Sequence, residues 1–258
     1  MSEWFEKFFD GPYAAVLPYV FDQAQTLEHV RVVKRLLKLR KNARVLDIPC
    51  GMGRLTIPMA ASGLAMTGVD LIPSYIRRAR LLAKKEGGKI RFFQSDMREI
   101  AFDREFDAAF NWFGSFGYFS DADNSAFCKR IFRALKPGGR FLVEGINKSW
   151  LLAHFLGQFA QVVGDVRVVY YNRYEPRTSR ILSTWTFSKD KEIERRRVIL
   201  RIFNGAEMRA VLRAAGFCDI RLFGFPPPGR LTRHSQRLIA VGTRPKESRS
   251  KTLMPPVK

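Results

Sequence analysis

The chain has 258 residues, 46% apolar and 27% charged, a balance that excludes wholesale disorder and lets one substantial core form without disulfides. Its 45 cationic residues against 24 acidic ones leave a formal charge of +21, and 30 of the cations are arginine. Three widely spaced cysteines, with no CxxC pair, exclude a disulfide framework and a zinc ribbon, so no metal site is expected.

The segment 2–39 reads as helical, with breaks at Gly11-Pro12 and Pro18. Leu27, Val30, Val33 and Leu37 recur at helical spacing, with Arg and Lys on the other face. ARVLDI follows as a strand, PCGMG as a glycine turn and RLTIPMAAS as a helix. LAMTGVD is a strand ending in Asp70, and SYIRRARLLAKKEG a helix with Ser74 as N-cap and Gly87 as C-cap. KIRFFQSD ends in Asp96, and FDAAFNWF ends near Asn111. A helix from Asp121 to Leu135 stops at Lys136-Pro137-Gly138-Gly139, and the strand RFLVEGI follows. After an expected helix at 149–162, DVRVVYYNRYE, SRILSTWTFS and EIERRRVILRIF are β-rich with turns at Glu175-Pro176 and Lys189-Asp190. GAEMRAVLRAAGF is a helix, and CDIRLFGF and SQRLIAVGT are strands joined without a helix, which makes them antiparallel neighbours.

This alternation predicts an α/β fold: a seven-stranded, mostly parallel sheet with helices on both faces and an antiparallel last strand. A small three-stranded antiparallel sheet is inserted into it. In open sheets of this kind ligands sit beyond the carboxyl ends of the strands. Asp47, Asp70, Asp96 and Asn111 all fall at such ends, so the fold gathers them on one rim.

Charge is uneven: residues 1–128 carry a net +3 and residues 129–258 a net +18. That asymmetry fits an anionic partner for the second half, or a solvated arginine-rich surface. Arg195, Arg196 and Arg197 run consecutively in an expected strand, so they cannot share one face. The N-terminus is acidic early and shows no signal pattern, and no run reaches about 18 uninterrupted apolar residues, so a cytoplasmic protein with no membrane span is expected.

The segment Val45 to Arg54, VLDIPCGMGR, decides between nucleotide-binding possibilities. Gly51 and Gly53 lie between a strand and a helix, where the missing Cβ lets a ligand approach the backbone. A dinucleotide fingerprint needs a third glycine, and Thr56 stands in its place. Asp47 precedes the glycines, and a carboxylate there suits a cationic ligand better than a pyrophosphate.

With these motifs, residues 40–244 resemble the class I S-adenosylmethionine-dependent methyltransferases. The resemblance implies S-adenosylmethionine as cofactor and S-adenosylhomocysteine as product. It assigns Asp47, Gly51 and Gly53, with neighbouring Arg54, to the motif that holds the methionine moiety; Pro49 replaces the usual first glycine. Asp70, followed by Leu71, matches the acid that binds the ribose hydroxyls, and Asp96-Met97 the pair at adenine. Asn111 matches the motif near the methyl group, and Leu135 to Arg140 the turn before the fifth strand. Two acceptors suit a diol, one acceptor suits an exocyclic amine, and apolar neighbours suit the ring.

The resemblance also implies an organisation: an N-terminal helical lid (1–40), a cofactor-binding core (41–164), the antiparallel insertion as substrate lid (165–204), the end of the core (205–244) and a basic, disordered tail (245–258). Tyr13 is placed to close over the cofactor. The expected reaction is in-line methyl transfer to a nitrogen or oxygen of a small-molecule acceptor by a monomer or homodimer, with an anionic acceptor the kind that the basic half would draw. A nucleic-acid methyltransferase gripping phosphates with the arginine-rich half is the alternative, as is a cofactor-binding protein without turnover. A hydroxyl acceptor needs a base. Of His29, His154 and His234, the resemblance sets His154 beside the acceptor pocket, and Tyr118 is a further catalytic candidate. Asn111 to Phe119 is expected to form an apolar acceptor wall, and Cys50 to be small and buried rather than nucleophilic.

Overall fold

A computed structural model describes residues 3–86, 89–226 and 229–247. The parallel strands are β1 (Arg44–Asp47), β2 (Ala65–Asp70), β3 (Ile90–Gln94), β4 (Phe106–Asn111) and β5 (Leu135–Ile146). Two antiparallel strands close the sheet, β10 (Cys218–Phe225) and β12 (Arg237–Thr243), with the short β11 (Gly229–Arg230) at the edge. The order is β11-β10-β12-β5-β4-β1-β2-β3, so β11 makes eight strands where the sequence predicts seven.

Alternation along the central strands builds two cores. Leu46, Ala109, Phe141 and Val143 point to one face, under α6 (Asp121–Ala134) and α8 (Gly205–Ala214). Val45, Ala108, Phe110 and Leu142 point to the other, under α3 (Gln23–Leu37) and α4 (Thr56–Ala61). The α5 helix (Pro73–Glu86) packs on β2 and β3. The start of α3 is fixed by a reciprocal cap: Asp22 accepts from the Gln25 N–H at 2.7 Å, and Gln25 from the Asp22 N–H at 3.0 Å. Val30, Val33 and Leu37 are buried as expected, whereas Leu27 is exposed. Ser74 falls inside α5 rather than capping it, because Pro73 already occupies the first turn. The cap expected at Gly87 lies outside the described residues, as does the tail beyond residue 247.

The expected helix at 149–162 divides. Lys148–Ala153 is helical (α7), but Gln158–Val163 is a strand (β6) paired with β7 (Val166–Glu175). A Gly164-Asp165 turn joins them, with Gly164 at φ +62°. With β8 (Arg180–Lys189) and β9 (Glu192–Arg201), the second sheet therefore has four strands, not three. Its inner face (Val166, Val168, Tyr170, Phe187) buries Phe8, Tyr13 and Val16. Those residues belong to α1 (Trp4–Phe8) and α2 (Pro12–Val16), so the N-terminal segment is held between the two sheets. No described helix is long and apolar enough to cross a membrane.

Candidate active site

The carboxyl ends of β1 to β4 meet at one cavity of about 460 Å³. Asp47 closes β1, is buried, and accepts from the Thr56 hydroxyl at 2.6 Å. Burial pushes its carboxyl up to about 7. Asp70 closes β2 and is also buried; one oxygen accepts from the Gly51 N–H at 2.7 Å and the other from the Ile72 N–H at 2.9 Å. Burial raises this carboxyl to about 6. Neither acid is hydrogen-bonded or ion-paired to a cationic side chain among the described residues, although the Arg54 charge acts on Asp47 and tempers the effect of burial.

The turn between β1 and α4 is pinned from both sides. The Cys50 N–H donates to Val69 O at 2.9 Å, and the Asn111 side-chain amide to Ile48 O at 2.9 Å. Gly51 has φ +56°, and a Cβ there would meet nothing within 4 Å, so this backbone faces open cavity. Gly53 works differently: with φ +85°, it brings Ile57 to 3.0 Å of where a Cβ would stand, closing the turn onto the helix.

Asp96 borders the cavity beyond β3, bracketed by Arg98, whose guanidinium reaches it at 2.7 Å. Arg98 lies 4.5 Å from the Phe119 ring centre. Arg54 enters from the opposite side, 4.2 Å above the Phe21 ring. Its Nη1 meets His29 Nδ1 at 3.0 Å, and burial lowers the guanidinium to about 10 and the imidazole to about 4.

Of the residues singled out in the sequence, Tyr13, Asp47, Pro49, Gly51, Arg54, Asp70, Leu71, Asp96, Met97 and Tyr118 all line this cavity. Gly53 and Asn111 do not; they lie behind its wall and shape it. His154 is not brought to the site. It is exposed at the end of α7, stacked on Trp150 at 4.7 Å with Nδ1 bound to the Trp150 carbonyl. His234 is exposed, and His29 is buried behind Arg54 rather than on the cavity. Cys50 is buried, and burial pushes its thiol up, as expected of an inert side chain.

The sequence reading missed the aromatic roof and walls: Phe5, Phe9, Phe21 and Tyr75. Phe5, Phe9 and Tyr13 are each four residues apart, but the Gly11-Pro12 break interrupts that period; the density of rings in 4–21 was the remaining signal. No residue of 158–201 lines the cavity, so the insertion backs the N-terminal segment instead of covering the site itself. Among the described residues no cluster of His, Cys, Asp or Glu is arranged to hold a metal ion.

Residues 45–139 match the family model described as a methyltransferase domain. That stretch runs from β1 to the start of β5, the part of the sheet whose strand ends form the cavity. YqeM from Bacillus subtilis is 35% identical over 136 residues, covering 51% of this chain and 54% of that one. The chain spans about half the length of the curated relatives it matches. A S-adenosylmethionine-dependent methyltransferase from Clostridium acetobutylicum superposes with a TM-score of 0.75 at 18% identity, covering 93% of this chain and 98% of that one. CalS10, an amino pentose methyltransferase from Micromonospora echinaspora solved with S-adenosylmethionine bound, gives 0.64 at 21% identity, over 93% and 99%. At these identities the likeness is one of fold, the class I Rossmann-like arrangement.

The cavity fits S-adenosylmethionine. About 460 Å³ lies within the range of roughly 300–1,000 Å³ usual for such ligands. Two buried carboxyls, neither ion-paired to a cationic side chain among the described residues, suit a ligand that is positive and carries a diol. The Tyr75 hydroxyl is buried on the cavity with no partner among the described residues, so a polar ligand atom has a place beside it.

Proposed function

We propose that the protein transfers a methyl group from S-adenosylmethionine to a small acceptor. The observation that carries this reading is the pair of buried carboxylates, Asp47 and Asp70, flanking the open Gly51 backbone on the floor of one aromatic-roofed cavity.

Bound S-adenosylmethionine supplies an electrophilic methyl on a sulfonium. Each Asp70 oxygen uses one lone pair on a backbone N–H and keeps another for a ribose hydroxyl. Asp96 offers an acceptor toward the adenine, with Met97 and Leu71 as its apolar flanks. Asp47, at the end of β1 before the glycine turn, offers its carboxyl to the positively charged methionine end. Phe5, Phe9 and Tyr13 close the cavity from above and exclude water.

The acceptor is inferred from the remaining wall, where Trp112, Phe113, Tyr118 and Phe119 meet. Burial holds Tyr118 up at about 12 and raises Tyr13 as well, so both phenols stay protonated and donate hydrogen bonds rather than remove protons. No histidine stands among the described lining residues. The reading is therefore an acceptor that arrives already nucleophilic: a neutral amine or an acidic hydroxyl in its ionised form.

The test is calorimetric titration with S-adenosylmethionine and S-adenosylhomocysteine, on the wild type and on Asp70→Ala. The variant is expected to bind both about 10- to 100-fold more weakly, the scale of losing charge-assisted hydrogen bonds. Equal affinity in a folded variant removes Asp70 from the cofactor site. No binding to the wild type overturns the proposal.

A further inference from the structure

A second concavity, of about 1230 Å³, lies on the α3 side of the sheet at its β10 edge. It shares no lining residue with the first cavity. Helices cover the other face of β10 and β12, whereas on this face Arg221 of β10 is exposed and Phe223 half-buried beside the end of α3.

Eight cations converge on it from separate parts of the chain. Arg35 and Lys38 come from the end of α3, and Arg140 from β5. Arg209 of α8, Arg221 of β10 and Arg230 of β11 line it further along, and Arg244 and Lys246 follow β12. One acid, Asp219, lines it with them. Arg140, Arg209 and Arg244 are tied to backbone carbonyls. The side chains of Arg35, Lys38, Arg221, Arg230 and Lys246 make no hydrogen bond or ion pair among the described residues.

A concave wall of one charge focuses potential on whatever lies within it. The volume exceeds what a small anion or metabolite fills. A trough also withdraws its cations from a flat lipid surface. Six of the eight cations are arginine, whose fork matches phosphate oxygens, and Leu36 and Phe223 give an apolar floor on which bases can rest. We propose that this groove binds the phosphate backbone of a nucleic acid strand, apart from the methyl-transfer site.

The test is fluorescence anisotropy with a labelled single-stranded RNA of about 20 nucleotides, titrated between about 50 and 200 mM KCl. Five free cations imply a log–log salt slope of roughly −3.5, hence a loss of affinity of about 100-fold over that range. Reversing Arg35→Glu, Arg221→Glu and Arg230→Glu together is expected to weaken RNA binding by about tenfold or more. The control carries the same charge change on the outer face of the second sheet: Arg167→Glu, Arg173→Glu and Arg195→Glu, all exposed. It is expected to alter RNA affinity by less than about threefold. S-adenosylhomocysteine titration of both variants checks that they are folded, and Arg221→Ala alone serves if the triple variant is not. Equal loss in both triple variants means only net charge attracts RNA and overturns the groove. So does a salt-independent affinity, or capture of phosphatidylglycerol vesicles without RNA.

Discussion

Asp47 shows how a single side chain can oppose stability while serving a site. Its carboxyl titrates near 7 in the folded chain because burial penalises the charge, against about 3.9 in an unfolded chain. The folded state thus holds the proton more tightly, and its stability is fully present below about pH 4 and falls as pH rises toward 7. Asp70 adds the same sense of change, with its folded value near 6. Replacing Asp47→Asn removes a charge whose hydrogen-bonding side-chain partner is the neutral Thr56 hydroxyl. The variant is expected to be more stable than wild type at pH 8, by on the order of 1–3 kcal/mol, and to show no gain at pH 4. Urea unfolding at the two pH values measures this. An equal effect at both would mean the Asp47 carboxyl is not held neutral by burial. The same substitution is expected to weaken S-adenosylmethionine binding, since a buried anion is retained where a cation is to be met.

At the scale of elements, β5 and the loop after β4 depend on a contact that no local pattern announces. Glu144 is fully buried on β5; one oxygen accepts from the Phe113 N–H at 2.7 Å and the other from Arg237 of β12. Phe113 holds a left-handed backbone at φ 72°, so this carboxylate fixes the loop from which the aromatic wall begins. Glu144→Ala leaves Arg237 and the Phe113 N–H without that partner and is expected to cost about 3–5 kcal/mol, with Glu144→Gln costing less. A loss within about 0.5 kcal/mol in denaturant unfolding would make the pair incidental. The sequence carried no sign of this pair, because its members lie 93 positions apart and meet only through antiparallel register. What it did carry were features local in the chain: strand-end acids, the Gly51 turn, helix periods and stops. The β6 strand failed for the converse reason. The apolar spacing around 149–162 is compatible with a helix, and the Gly164-Asp165 turn that makes a hairpin is only two residues long. His154 was assigned through that same helix, and the early end of α7 carries it to the surface instead.

For the whole molecule, the arrangement of two sheets determines which part can move. The strands β4 and β5 are buried on both faces, and their exchange with solvent needs global opening. The α1 and α2 helices have five residues each, too few to persist alone. They are held by rings on two sides: Phe8 and Tyr13 against Trp185 of the second sheet, and Phe5 against Phe119 in the loop between β4 and α6. Phe5, Phe9 and Tyr13 form part of the cavity roof, so the least self-sufficient part of the fold covers the proposed cofactor. A ligand under that roof adds contacts that the open segment lacks, which shifts its opening equilibrium toward closed. Hydrogen exchange is therefore expected to find amides of residues 4–19 far less protected than those of β4 and β5 in the free protein. Adding S-adenosylhomocysteine is expected to slow exchange in 4–19, with β4 and β5 changing least. Protection of 4–19 equal to that of β4 before ligand, or unchanged by a bound ligand, would mean that the roof is a fixed part of the core and that the cofactor must enter by another route.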